Sequence, residues 1–225
     1  MLPLANTEKQ KRPAVVTTLL IVANLGVFAW EVWLMLSGGD KTLTSFVTAQ
    51  ALVARRLLTH LDDVRQWQTL GTHMFLHGGI AHVLGNLWFL WIFGGKVEDR
   101  LGSLRYLLLY LLAGVAAAAL QIAVHPGATI PMLGASGAIS GVLGAYLILF
   151  PRAWIWTLVP WIVPILPVPA AVFLVGWFFM QTLSGLGSLA TGVDGGVAWW
   201  AHAGGFVAGV VMVIGAKRAK WISRK

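Results

Sequence analysis

Apolar residues fall in long runs, separated by short polar clusters. A bilayer core needs about 20 apolar residues per helix. Six runs, at about residues 14–36, 80–95, 104–124, 132–150, 170–186 and 197–216, are read as membrane spans, the second starting either there or nearer Thr72. The first follows Lys9, Lys11 and Arg12 but is too long for a signal-peptide core, and no clean small-residue cleavage site follows it. It is read as a retained helix.

Two connections interrupt this pattern. Residues 37–70 form a long polar loop that carries Arg55, Arg56, Asp62, Asp63 and Arg65. Its 46–61 stretch mixes apolar and charged positions, which predicts one or two short interfacial helices. The second connection holds Pro151, Pro160, Pro164, Pro167 and Pro169. Such proline density disfavours one straight helix. Residues 154–168 are therefore read as an irregular, partly membrane-dipping connector, with a seventh short span as the competing reading. The chain divides into an N-terminal cytoplasmic segment (1–13), one six-helix membrane domain (14–216) and a basic cytoplasmic tail (217–225).

Composition sharpens the class. The 225 residues are 58% hydrophobic and 11% charged, against about 45–50% and about 25% for soluble domains. Mean hydropathy is +0.78. This excludes a soluble enzyme, a disordered chain and a disulfide scaffold, and describes an all-α polytopic membrane protein. The absence of cysteine excludes thiolate metal sites and a cysteine nucleophile. Net charge is +8, but no basic stripe on a soluble fold accompanies it, so no nucleic-acid partner is expected. With the amino terminus inside, six spans put twelve Lys and Arg residues on the cytoplasmic side and four outside. That asymmetry follows the positive-inside rule and predicts both termini in the cytoplasm. An odd number of spans would put the basic tail outside.

Polar side chains within spans are expensive and mark candidate sites. The second span opens with His73, His77, His82 and Asn86; the fourth carries Ser136 and Ser140; the sixth carries His202. Glu31 and Gln181 lie in the first and fifth. Spans two, four and six run in the same direction, and His82, Asn86, Ser136 and His202 lie near their outer ends. All four thus share one depth, roughly 5–10 Å below the outer surface at 1.5 Å per residue. His82 and Asn86, four apart, share a helix face. Gly137 and Gly141 on span four, and Ala201, Gly205 and Gly209 on span six, form small-residue faces that permit close helix approach. That approach could bring Ser136 to His202. Each serine could instead serve as interhelical glue. His73 and His77 have a metal-ligand spacing, but no Asp, Glu or Cys lies near them in the sequence.

These motifs resemble the rhomboid intramembrane serine proteases. The likeness rests on His82-x-x-x-Asn86, Gly134-Ala135-Ser136-Gly137 and Ala201-His202-x-x-Gly205, in that order. Thr72-His73 and His77, the stretch 94–102 and Gly176-Trp177-Phe178 extend it over about residues 14–216. It implies a six-transmembrane-helix rhomboid-like bundle that needs no metal or cofactor. It implies Ser136 as nucleophile and His202 as general base, a dyad without an orienting carboxylate. His82 and Asn86 would bind the oxyanion, and Gly134 would admit a substrate strand. His77, Gly137 and Trp177 would support the site, with Trp177 and the Pro-rich connector forming a lateral gate and His73, His77 and Gln121 hydrating the cavity. The partners implied are transmembrane protein substrates and the lipid bilayer; oligomeric state is left open. The absence of a transit-like leader points to a bacterial plasma membrane. Two positions depart from the family: Trp67-Gln68 lacks the usual arginine, and Ser140 stands where many members have an aromatic that stacks on the histidine. The rival readings are a binding-only relative, usually lacking the Ser or His, and a transporter, which would tend to show internal repeats.

Overall fold

The computed structural model describes residues 1–159, 163–191 and 197–221. Strand β1 (Leu2–Asn6) precedes the long helix α1 (Val15–Gln50). Two short helices follow, α2 (Ala54–Thr59) and α3 (Val64–Thr72), then a 3₁₀ turn at His73–Phe75. The next span combines α4 (Ile80–Phe89), a π-helical turn (Leu90–Gly94) and α5 (Gly95–Leu101). Helices α6 (Ser103–Val124) and α7 (Ser136–Leu149) lead to strands β2 (Trp154–Val159) and β3 (Val163–Pro169). Helices α8 (Ala170–Thr191) and α9 (Trp199–Arg218) complete the chain. Asp194, Pro160, Arg224 and Lys225 lie outside the described residues.

Among the described residues, five helices are long and apolar enough to cross a membrane. The sixth helix of the bundle, α7, has only 14 residues, about 21 Å at 1.5 Å per residue. It is the core of the protein, buried continuously from Gly137 to Tyr146. Helices α6 and α9 make its most extensive contacts. Helix α6 shows the patterning. Tyr106, Tyr110, Ala113 and Ala117 are buried, while Leu104, Leu108 and Leu112 are at least half exposed, as a lipid-facing surface requires.

Close packing of α7 depends on glycine. A Cβ on Gly144 would meet the Phe206 carbonyl, and one on Gly209 would meet the Gly141 carbonyl. The two backbones therefore touch where the small-residue faces were read.

Glu98 anchors the other end of the bundle. Its carboxylate accepts from Val16 N (2.9 Å), Thr17 N (2.8 Å), Thr17 Oγ1 (2.8 Å) and Ser103 Oγ (2.7 Å). It thus caps the open N–H groups of α1 and ties them to the α5–α6 turn.

Three boundaries differ from the sequence reading. Helix α1 continues to Gln50 through a kink at Gly39, where φ is +71°. Part of the supposed polar loop 37–70 is thus helical. Met132, placed in span four, pairs instead with Leu52 in an isolated β-bridge. The proline-rich connector is not irregular: its described residues form two strands of a three-stranded antiparallel sheet ordered β1-β2-β3. Its prolines lie on the edge strands, Pro3 in β1 and Pro164, Pro167 and Pro169 in β3, while β2 has none. Proline lacks the N–H a central strand needs, so this placement satisfies the ladder.

Candidate active site

Ser136 is the first residue of α7. The chain enters it through Gly134, at φ +121°, whose N–H donates to the His73 carbonyl at 2.9 Å. His73 Nδ1 is itself held by the Thr69 carbonyl at 2.7 Å. A Cβ on Gly134 would lie 2.8 Å from His82 Nε2 and 3.6 Å from Ser136 Oγ. Glycine is therefore required there both by backbone conformation and by the imidazole packed on it. As first residue of the helix, Ser136 has a backbone N–H with no intrahelical acceptor.

His202 lies in the first turn of α9. Its Nε2 is 2.8 Å from Ser136 Oγ, and its Nδ1 is 2.7 Å from Gln181 Oε1 on α8. An amide oxygen only accepts, so Nδ1 carries the proton and Nε2 accepts from the serine hydroxyl. Gln181 was noted in the sequence as a polar residue within a span, with no role attached. Its partner lies on the next helix, 21 residues away, beyond any local pattern.

Ser140 makes a local bond, and His202 has other aromatic neighbours. Ser140 Oγ donates to the Ser136 carbonyl at 2.6 Å. Trp177 supplies an aromatic neighbour for His202, with ring centroids 6.0 Å apart, and Trp199 meets the imidazole edge-on at 6.3 Å. Trp199 was missed by the sequence reading. A different arginine braces the loop. Arg56 Nε donates to Gln66 Oε1 at 2.7 Å and its Nη2 to the Ala51 carbonyl at 2.7 Å, clasping the end of α1 to α3. Asp63 caps α3; its hydrogen bonds from Gln66 and from the Arg65 backbone hold its carboxyl below the usual value.

His82, Asn86, Ser136, Trp177, Gln181 and His202 line one cavity of about 390 Å³. Asn86 Nδ2 is buried and has no hydrogen-bond partner among the described residues. His82 Nδ1 accepts from Gly78 N at 3.3 Å, which leaves Nε2–H as a donor beside Gly134. His77 stands behind His82, edge-on at 5.2 Å, and its backbone N–H donates to the Glu31 carboxylate. It does not line this cavity. Gly137 lies where α7 meets α6, since a Cβ there would be 2.7 Å from Ala117 Cβ. Gln121 lines an adjoining cavity of about 380 Å³ that shares His82, and its side-chain oxygen accepts from Ala201 N at 3.2 Å. Among the described residues, no three His, Asp or Glu side chains converge as a metal would need.

The connector's described residues do not line this cavity. Its sheet joins the far end of α7, where Ala153 N donates to the Phe150 carbonyl and Ala170 N to the Ala153 carbonyl. Trp177 alone of the two supposed gate elements borders the cavity.

The molecule is thus a multi-pass membrane protein with a serine–histidine pair recessed between helices. Residues 64–218 match the Rhomboid domain family, and the chain belongs to that family. It is 45% identical over 82 residues to the rhomboid protease GluP of Bacillus subtilis, covering 36% of this chain and 16% of that protein. It is 28% identical over 185 residues to the mouse presenilin-associated rhomboid-like mitochondrial protein, covering 72% of this chain and 49% of the relative. The chloroplastic RHOMBOID-like protein 9 of Arabidopsis thaliana is 36% identical over 131 residues, which cover 58% of this chain and 29% of that protein. The chain thus spans about half the length, or less, of these relatives.

Proposed function

We propose that this chain is an intramembrane serine endopeptidase that cleaves transmembrane segments near the outer membrane face. The observation that carries this reading is the 2.8 Å contact of Ser136 Oγ with His202 Nε2, with the histidine tautomer fixed by Gln181. A serine hydroxyl is a weak nucleophile until an adjacent base removes its proton. In this mechanism Ser136 attacks the substrate carbonyl while His202 Nε2 takes the proton. His202 then returns the proton to the leaving amine, and water hydrolyses the acyl-enzyme.

The tetrahedral oxyanion takes hydrogen bonds from the Ser136 N–H, the His82 Nε2–H and Asn86 Nδ2. The buried, unpartnered amide of Asn86 supports this assignment, because a buried donor without a partner is costly unless a ligand satisfies it. Each such donor is worth about 10²–10³ in turnover. Gly134 admits an extended substrate strand beside His82, and unwinding of the substrate helix supplies that strand. Gly137 supports the site by letting α7 approach its neighbours, and His77 supports His82. The adjoining cavity at Gln121 and His82 brings water to the site. The partners are transmembrane protein substrates, in a bacterial plasma membrane with both termini cytoplasmic; the charge asymmetry and the Bacillus relative support that placement.

The test is cleavage of a single-span reporter protein by the purified chain in liposomes. Wild type is expected to cleave, and Ser136→Ala and His202→Ala to lose cleavage by at least about 10³-fold. Cleavage that survives Ser136→Ala would remove the dyad. A folded wild type that binds but never cleaves would make the protein a binding relative.

A further inference from the structure

Another cavity lies at the opposite end of the bundle from Ser136. It measures about 900 Å³, and eight of its sixteen lining residues are Lys or Arg against two acids, Glu8 and Asp99. The chain has sixteen Lys and Arg in all, so half of its cations border one concavity. They come from segments far apart in sequence. Lys9, Lys11 and Arg12 precede α1, and Lys96 and Arg100 lie on α5. Arg105 lies on α6, Arg152 follows α7, and Lys217 lies in the last turn of α9.

The positive-inside rule accounts for cations at this end of a bundle. It does not account for their convergence on a single hollow. Like charges that border one hollow reinforce one another's potential within it. Of the two acids, Asp99 is already engaged: one of its oxygens accepts from Lys11 N at 2.9 Å. The lining also has an apolar part. It includes Leu101, Leu149 and Phe150, at the ends of α5 and α7. Basic side chains beside apolar ones, at the level where spanning helices end, match an anionic headgroup with the first carbons of its acyl chains.

We propose that this cavity binds the phosphate of an acidic phospholipid headgroup. The proposal does not depend on the protease reading, because none of the residues involved lines the Ser136 cavity.

Native mass spectrometry of the purified full-length chain tests it, after exchange into nanodiscs of equal phosphatidylglycerol and phosphatidylcholine. Wild type is expected to retain phosphatidylglycerol preferentially. Lys9→Gln with Arg12→Gln alters two exposed side chains ahead of α1, leaving the helical core untouched. It is expected to weaken retention about fivefold per charge removed. Lys96→Gln with Arg152→Gln should do the same, and Lys96→Arg with Arg152→Lys should bind as wild type. Arg55→Gln with Arg65→Gln, in the loop at the other end, should leave retention unchanged. Wild-type retention in both neutralised pairs, or the same loss in the Arg55 and Arg65 control, would overturn the proposal. So would inorganic phosphate displacing the lipid at millimolar concentration, which would make a soluble anion the ligand.

Discussion

At the scale of single residues, Gln181 distinguishes this site. A serine–histidine pair without a carboxylate still needs the imidazole in one tautomer, with Nε2 free to accept. Here the Gln181 oxygen does that at 2.7 Å, and Trp177 and Trp199 restrict the ring. Gln181→Leu is therefore expected to lower kcat by at least about tenfold while leaving KM near wild type. In serine proteases a wrong tautomer costs about 10⁴, and the neutral glutamine sets the smaller bound. Gln181→Glu keeps an accepting oxygen and should recover most of the rate. Steady-state cleavage kinetics of the three proteins separate this from a packing role; equal losses in Leu and Glu variants would assign Gln181 to packing. The contrast with Ser136 and His202 explains what the sequence could show. Each of those residues sits in a short motif of small neighbours, and the common depth of their spans brings them together. Gln181 and Trp199 carry no such signature, because their meaning arises only where α8 crosses α9.

At the scale of elements, the distance between Ser136 and His202 is set by how closely α7 lies on α9. A Cβ on Gly205 would run into the Gly137 carbonyl and reach 3.4 Å from Ser140 Cβ. The obstacle is backbone, so neither side can give by rotating a side chain. Gly205→Ala is expected to destabilise by about 1–3 kcal/mol, the range for overpacking a core. It should also slow cleavage by about 10²-fold, because misplacing reacting groups by an ångström has that effect. Thermal unfolding in detergent and the cleavage rate check the two separately, and wild-type values for both would refute the packing argument. The helices and this glycine seam were readable because both repeat locally. The sheet was not. Its pairing joins β1 to β2 across some 150 residues of chain, with Leu2 opposite Leu158. Its prolines mimic a linker until their edge-strand positions are known. The extension of α1 was hidden by Ser37-Gly38-Gly39-Asp40, which reads as a helix stop, although Leu43, Phe46 and Val47 resume an apolar face.

At the scale of the whole molecule, the two ends carry different chemistry. One end holds the Ser136 cavity, the α2–α3 loop and the Arg56 clasp. The other holds the sheet, the Glu98 cap and the basic cavity. Contacts at this second end gather distant parts of the chain. Asn6 Nδ2 donates to the Ile92 carbonyl in the π-helical turn at 2.8 Å, Trp88 Nε1 to the Pro3 carbonyl at 2.6 Å, and Lys217 Nζ to the Ile148 carbonyl at 2.6 Å. The N-terminal segment, the end of α7 and the end of α9 therefore lie on one side of the bundle. An orientation that puts the basic side in the cytoplasm commits the Ser136 cavity to the outer leaflet. Because the chain has no cysteine, single introduced thiols report on this cleanly. Asp62→Cys is expected to react with a membrane-impermeant maleimide in intact cells. Trp221→Cys, at an exposed position just beyond α9, should react only after lysis. The opposite pattern would invert the molecule and move cleavage to the cytoplasmic face, and with it the class of substrate segment that could reach Ser136.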